Sequence, residues 1–104
     1  MLPKKSRLKI QEYLGKRGRT FRSPLFTLKA FPSSLSFPRF GAVVGKNVRK
    51  TAVGRNALRR MFLGCADEAR AKIPPGDYLM IAHPSEEAPA RETIYEQLIS
   101  FIAS

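Results

Sequence analysis

What this chain of 104 residues lacks narrows its chemistry before any motif is considered. It has one cysteine, Cys65, and no tryptophan. A single thiol makes neither an internal disulfide nor a thiolate metal cluster, which agrees with a reducing compartment. Its longest apolar runs, such as Tyr78 to Ala82, fall far short of the roughly 18 residues that a membrane span requires. The N-terminus is basic at Lys4, Lys5, Arg7 and Lys9, but the apolar stretch of about 7 to 15 residues found in a secretory signal does not follow. The expected location is the cytoplasm, with no membrane association. No repeat, low-complexity tract or Gly/Ser linker divides the chain, so its length predicts one domain over residues 1–104.

Negative charge is also scarce, and unevenly so. Lys and Arg total 19 against 8 Asp and Glu, a formal net charge of +11. Residues 1–60 carry 16 basic side chains and a single acidic one, Glu12, whereas residues 61–104 carry 3 basic and 7 acidic ones. A half-molecule this basic repels itself unless a polyanion neutralises it, and nucleic acid is the favoured partner over an anionic membrane.

Hydrophobic spacing supplies the elements. Leu8, Ile10, Tyr13 and Leu14 form a partial helical stripe, predicting a short helix over Arg7 to Lys16 that Gly15 and Gly18 terminate. Leu25 to Phe31 alternates as a strand, with Phe26, Leu28 and Ala30 on an apolar face and Thr27, Lys29 and Phe31 on the other. Pro32 to Pro38 is a connecting loop, and Phe40 to Gly45 a second strand. From Thr51 to Lys72 the period becomes helical: Leu58, Met61, Phe62, Cys65 and Ala69 share one stripe. Thr51 is the expected N-cap, and Pro74-Pro75-Gly76 the stop. Tyr78 to His83 is a buried strand, and Ala90 to Ile102 a second amphipathic helix. The order predicts an α/β (α+β) sandwich in which the unit from Phe40 to His83 can join two parallel strands.

The informative segment runs from Gly45 to Arg60. On a helix turning about 100° per residue, Arg55, Asn56, Arg59 and Arg60 span an arc of roughly 140° beside the Leu58 stripe. Arg55 and Arg59, at i and i+4, repel each other unless an anion lies between them. Arginine's planar fork suits phosphate, and Lys46, Arg49 and Lys50 precede the helix where they extend the same surface. A merely solvated face is the bland alternative, but a helix needing only solubility would interleave Glu. His83 has no evident second ligand, Cys65 lies on the apolar stripe, and Glu86, Glu87, Glu92 and Glu96 fit a solvated loop and helix face. Nothing here assembles a catalytic dyad or a metal site.

The string Arg55-Asn56-Ala57-Leu58-Arg59-Arg60, with the basic loop before it and Gly76-Asp77-Tyr78-Leu79-Met80-Ile81-Ala82-His83-Pro84 after it, resembles the protein component of bacterial ribonuclease P. That family's pattern is Arg-Asn-x-x-(Lys/Arg)-Arg, and Leu2-Pro3-Lys4, Arg7-Leu8 and the strand Gly41-Ala42-Val43-Val44 extend the likeness over nearly the whole chain. Ala57 stands where the family commonly has a second arginine, the first helix is shortened before Gly18, and Lys29 replaces an aromatic. The resemblance implies a four-stranded sheet in the order α-β-β-β-α-β-α, the additional strand lying near Thr20 to Arg22. It also implies a left-handed strand-helix-strand crossover, against the general right-handed rule.

By the same resemblance the chain assists a catalytic RNA that removes the 5′ leader of precursor tRNA. The partners are ribonuclease P RNA and precursor tRNA, with no obligate protein partner. Mg2+ is held mainly by the RNA and none by the protein alone. Lys46, Arg49, Lys50, Arg55, Asn56, Arg59 and Arg60 then contact RNA. Thr27, Lys29 and Phe31, bordered by Tyr13 and Leu14, form a candidate cleft in which an aromatic and a cation hold single-stranded leader. The alternatives are a structural RNA-binding protein such as a ribosomal one, which would lack that cleft, and a self-sufficient nuclease, which would need metal ligands.

Overall fold

The computed structural model describes residues 2–84 and 89–103. Four strands, β1 (Arg19–Arg22), β2 (Phe26–Phe31), β3 (Pro38–Val43) and β4 (Gly76–Ala82), form one sheet in the order β1-β2-β4-β3. β4 pairs antiparallel with β2 and parallel with β3. Two helices, α1 (Ala52–Ala69) and α2 (Arg91–Ala103), accompany it. The short strand implied by the family resemblance is therefore present as β1.

Strand alternation places Phe26, Leu28, Phe40 and Met80 against the apolar stripes of the helices, where Leu58, Phe62, Cys65, Ala66, Ile94 and Leu98 are buried with them. Phe62 and Phe101 both meet the Phe26 ring edge-on, at centroid distances of 5.3 and 5.5 Å. Burying side chains of this size contributes about 1.5–3 kcal/mol each. Cys65 is a core residue: burial pushes its thiol pKa up, and Sγ donates to the Arg91 carbonyl at 3.4 Å. Thr51 caps α1 as expected, its hydroxyl accepting from the Gly54 N–H at 3.0 Å. Past Ala69 the chain tightens into a 3₁₀ turn, Arg70–Lys72, before the prolines.

The N-terminal segment departs from expectation. In place of a helix over 7–16 there are two single 3₁₀ turns, Lys4–Ser6 and Ile10–Glu12, with Arg7 and Lys9 extended between them. The reason is a competing backbone partner. β3 is an edge strand, and the Leu8 N–H donates to the Phe40 carbonyl at 2.8 Å while Arg7 forms a parallel bridge with Phe40. A free strand edge thus takes the hydrogen bond that a helix would have used. Leu8 and Ile10 then fold onto the sheet over Gly41, where a Cβ would come within 3.0 Å of Ile10 and 3.3 Å of Leu8. Gly15, at φ +81°, makes the turn toward β1.

A polar network fastens this segment. Asp77 on β4 is buried and accepts Nε and Nη2 of Arg39 at 2.9 and 2.8 Å and the Tyr13 hydroxyl at 2.5 Å. Burial alone would raise the Asp77 pKa, but the hydrogen bonds from Arg39 and Tyr13 and the charge of Arg39 outweigh it and hold the carboxyl below its ordinary range. A carboxylate whose pKa is depressed by folding contributes stability that is present above the unfolded pKa and is lost as pH falls through the folded one. Asp77→Asn should therefore cost about 1–3 kcal/mol at neutral pH. The gap to wild type should close as pH drops below the usual aspartate range, which urea unfolding at a series of pH values measures; a gap independent of pH contradicts this account.

Candidate nucleic-acid interface

The basic segment before α1 is built from the backbone outward. The Gly45 carbonyl accepts the N–H groups of Val48 and Arg49, closing a turn whose apolar member, Val48, is buried in the core. Lys46 and Lys50 are thereby left exposed and Arg49 half-exposed. Arg55, one turn into α1, reaches back with Nη1 to the carbonyls of Arg49 and Lys50 at 3.1 and 3.0 Å. It stitches loop to helix, so part of its guanidinium is committed to architecture. On the next turn Arg59 Nη1 donates to Asn56 Oδ1 at 2.6 Å, while Arg60 is exposed. None of Lys46, Arg49, Lys50, Arg55, Arg59 and Arg60 is ion-paired among the described residues. The seven residues picked from the sequence thus lie on one loop and the helix that it caps. Ala57 is exposed on the same helix, and Val53, 80% exposed in its first turn, is an apolar point amid the cations.

The opposite face of the sheet shows the expected alternation, since Thr27, Lys29 and Phe31 all point away from the helices. Strand register sets them in rows: Lys29 is flanked by Thr20 and Leu79, and Thr27 by Arg22 and Ile81. The face is not uniformly open, however. Phe31 is only 7% exposed, packed with Leu8 and Leu79 and with its ring centroid 5.1 Å from that of Tyr13. Leu8 and Tyr13 of the N-terminal segment cover it. Tyr13 is half-buried with its hydroxyl held by Asp77, and Lys16 Nζ lies 4.9 Å above its ring. Thr27 is buried and its Oγ1 lies 2.7 Å from His83 Nε2. Lys29 is half-exposed, and Leu14 is 54% exposed. As a stacking platform, therefore, Phe31 is corrected to a packed side chain. The accessible cationic and titratable side chains of this face include Lys29 and Arg22, which lie in adjacent rows, and His83 just past β4.

Two of those three, Arg22 and His83, were not singled out as site residues. The signal for Arg22 lay in pairing β1 with β2, which composition does not reveal; for His83 it lay in β4 parity, since 77, 79, 81 and 83 share a face. Among the described residues no group of three or more His, Cys, Asp or Glu side chains gathers to hold a metal, and no helix is long and apolar enough to cross a membrane. Glu92 and Glu96 are exposed on α2, and Glu86 and Glu87 lie outside the described residues.

The family model for ribonuclease P matches residues 2–104. The ribonuclease P protein component of Vibrio parahaemolyticus is 36% identical over 74 residues, which cover 71% of this chain and 63% of that protein. That of Aliivibrio fischeri is 35% identical over 81 residues, covering 78% of this chain and 69% of that one. The RNase P protein from Thermotoga maritima shares the fold, with a TM-score of 0.77 at 24% identity over 92% of this chain and 94% of that one. A family model spanning almost every residue, on a sheet and crossover helix that carry its basic motif, establishes that the chain belongs to the ribonuclease P protein family.

Proposed function

We propose that this chain is the protein subunit of ribonuclease P, and that its contribution to the 5′ maturation of precursor tRNA is to bind and position RNA. The observation that carries the reading is the polar face of α1: arginines one turn apart, with no carboxylate among the described residues paired to them, on a helix whose other face is fixed in the core. Such an arrangement opposes its own stability until a polyanion neutralises it. The ribonuclease P RNA is the partner for that face and for the loop Lys46 to Lys50, and precursor tRNA is the substrate. Cleavage, with its Mg2+, is assigned to the RNA, a division of labour supported by the lack of any cluster of three or more His, Cys, Asp or Glu side chains among the described residues; the setting is the cytoplasm, with no obligate protein partner. The single-stranded leader runs over the accessible end of the second sheet face, along Lys29 and Arg22 and beside Leu14. A structural ribosomal protein would share the basic helix but has no use for this second face, and the leader test below separates the two.

The helix face is tested by charge reversal. Arg59→Glu with Arg60→Glu should leave the melting temperature close to that of wild type, because neither side chain is ion-paired among the described residues. Affinity for the RNA subunit should fall by more than tenfold, as expected when several phosphate contacts are lost. Wild-type affinity should also fall with salt, by roughly 0.7–0.9 log units per contact per decade. A folded double variant that binds normally, or an affinity indifferent to salt, rejects this assignment.

Phe31→Ala is a poor probe of the leader, because emptying a packed aromatic site costs about 3–5 kcal/mol in the fold itself. Lys29→Ala and Arg22→Ala are the informative changes. In the assembled holoenzyme each should weaken binding of precursor tRNA by severalfold and leave mature tRNA, which has no leader, unchanged. Equal effects on both substrates contradict a leader site on this face.

A further inference from the structure

Between the N-terminal segment, the outer face of α1 and the first residue of α2 lies a cavity of about 780 Å³. Its volume falls in the range of about 300–1,000 Å³ typical of small-molecule sites. Half-buried Leu63, with an edge of the buried Leu2, supplies the apolar wall, and Arg7, Asn56, Arg59 and Arg60 the polar one. The acidic residues at its far end are already paired: Glu68 with Arg91, and Asp67 with Arg70 at 3.3 Å. Arg7 Nε is held by the Leu2 carbonyl at 3.2 Å, and Asn56 Oδ1 by Arg59. That last bond fixes the amide so that its NH₂ remains to be used. The wall of Arg7, Asn56, Arg59 and Arg60 therefore offers donors, one amide NH₂ and three guanidinium groups, while the carboxylates of Asp67 and Glu68, each already in an ion pair, are the acceptors that line the rest of the cavity.

A ligand that satisfies this wall presents acceptors next to a flat apolar face. Phosphate oxygens meet the first requirement, and the O6/N7 edge of guanine meets both, being the standard partner of an arginine fork. From this geometry we infer that the cavity takes one unpaired nucleotide of the RNA partner, a guanosine by preference. Its base lies against Leu2 and Leu63, its acceptor edge toward Asn56 and Arg59, and its phosphate on Arg60 and Arg7. The inference rests on the RNA-binding reading above and adds to it: the N-terminal segment becomes a wall of the site, and contact extends from phosphates to a base.

Gly64 provides the test. Glycine is unfavourable within a helix, and here it faces the cavity, with the Arg91 guanidinium laid across it; a Cβ at position 64 would sit 3.7 Å from Arg91 Nη2, an ordinary contact. Gly64→Ala should therefore fold and bind as wild type, whereas Gly64→Leu should fold but fill the cavity. The free protein, isotope-labelled, is titrated with guanosine 5′-monophosphate, cytidine 5′-monophosphate and ribose 5-phosphate. Saturable shifts at the Leu63 methyls and the Asn56 side-chain amide are expected, with the guanosine nucleotide at least about fivefold tighter than ribose 5-phosphate. Gly64→Leu should abolish them and weaken RNA-subunit binding by about tenfold, a loss of about 1.4 kcal/mol.

Equal affinity for ribose 5-phosphate and the guanosine nucleotide would overturn the base site, leaving only a phosphate contact. So would a folded Gly64→Leu chain that binds the RNA subunit as Gly64→Ala does, while the proposed function stood. Failure of the wild-type chain to bind the RNA subunit at all would overturn the function itself, and the nucleotide titration tells the two failures apart.

Discussion

The pairing on which the molecule depends is the parallel one between β3 and β4. Parallel neighbours cannot be joined by a hairpin; the chain must leave one end of the sheet and return to the other through a crossover of a dozen or more residues. That crossover is the basic loop and α1. Because Leu58, Phe62, Cys65 and Ala69 must lie on the sheet, the rest of the helix is obliged to face outward, and it is there that Asn56, Arg59 and Arg60 are found. The display of cations is a geometric consequence of the topology. Its cost is local repulsion between Arg55 and Arg59, met by the Thr51 cap and by the bonds from Arg55 to the loop carbonyls.

The same sheet order leaves β3 with a free edge, and the N-terminal segment answers it. One backbone hydrogen bond to Phe40 aligns Arg7 and Leu8, and the network of Tyr13, Arg39 and Asp77 fastens the continuation over the second face. Pairing a buried carboxylate with a guanidinium fork, and adding a hydrogen bond from a phenol, gives that anchor direction as well as strength. The two sides of the molecule are thus linked through one short stretch of chain. Leu2 and Arg7 border the cavity beside the arginine helix, and residues 8–14 cover or flank the face proposed for the leader.

Much of this was legible in the sequence because period and charge are local signals. The stripe from Leu58 to Ala69, the Thr51 cap and the alternation of Phe26 to Phe31 each follow from spacing alone. So does the choice of the α1 cations, since no acid intervenes between Glu12 and Asp67. What spacing could not supply was anything decided by a distant partner. Leu8, Ile10, Tyr13 and Leu14 have helical spacing, yet the free edge of β3 and the carboxylate of Asp77 hold the segment in another form. Phe31 was placed on the correct face, but its cover comes from residues far earlier in the chain. Arg39 falls between the loop ending at Pro38 and the strand expected from Phe40, and Asp77 just before the strand expected from Tyr78; they meet because β3 and β4 are in register there, and register is a property of the pair.

The central claim is that this chain acts by binding RNA and leaves the chemistry to it. The most direct measurement is 5′ cleavage of precursor tRNA at limiting magnesium, with the ribonuclease P RNA alone, this chain alone and the two together. The account predicts no cleavage by the chain alone, slow cleavage by the RNA alone, and a gain on mixing that appears chiefly in the affinity for precursor and diminishes as salt is raised. Site-specific cleavage by the chain without RNA, or no gain on mixing, would contradict it.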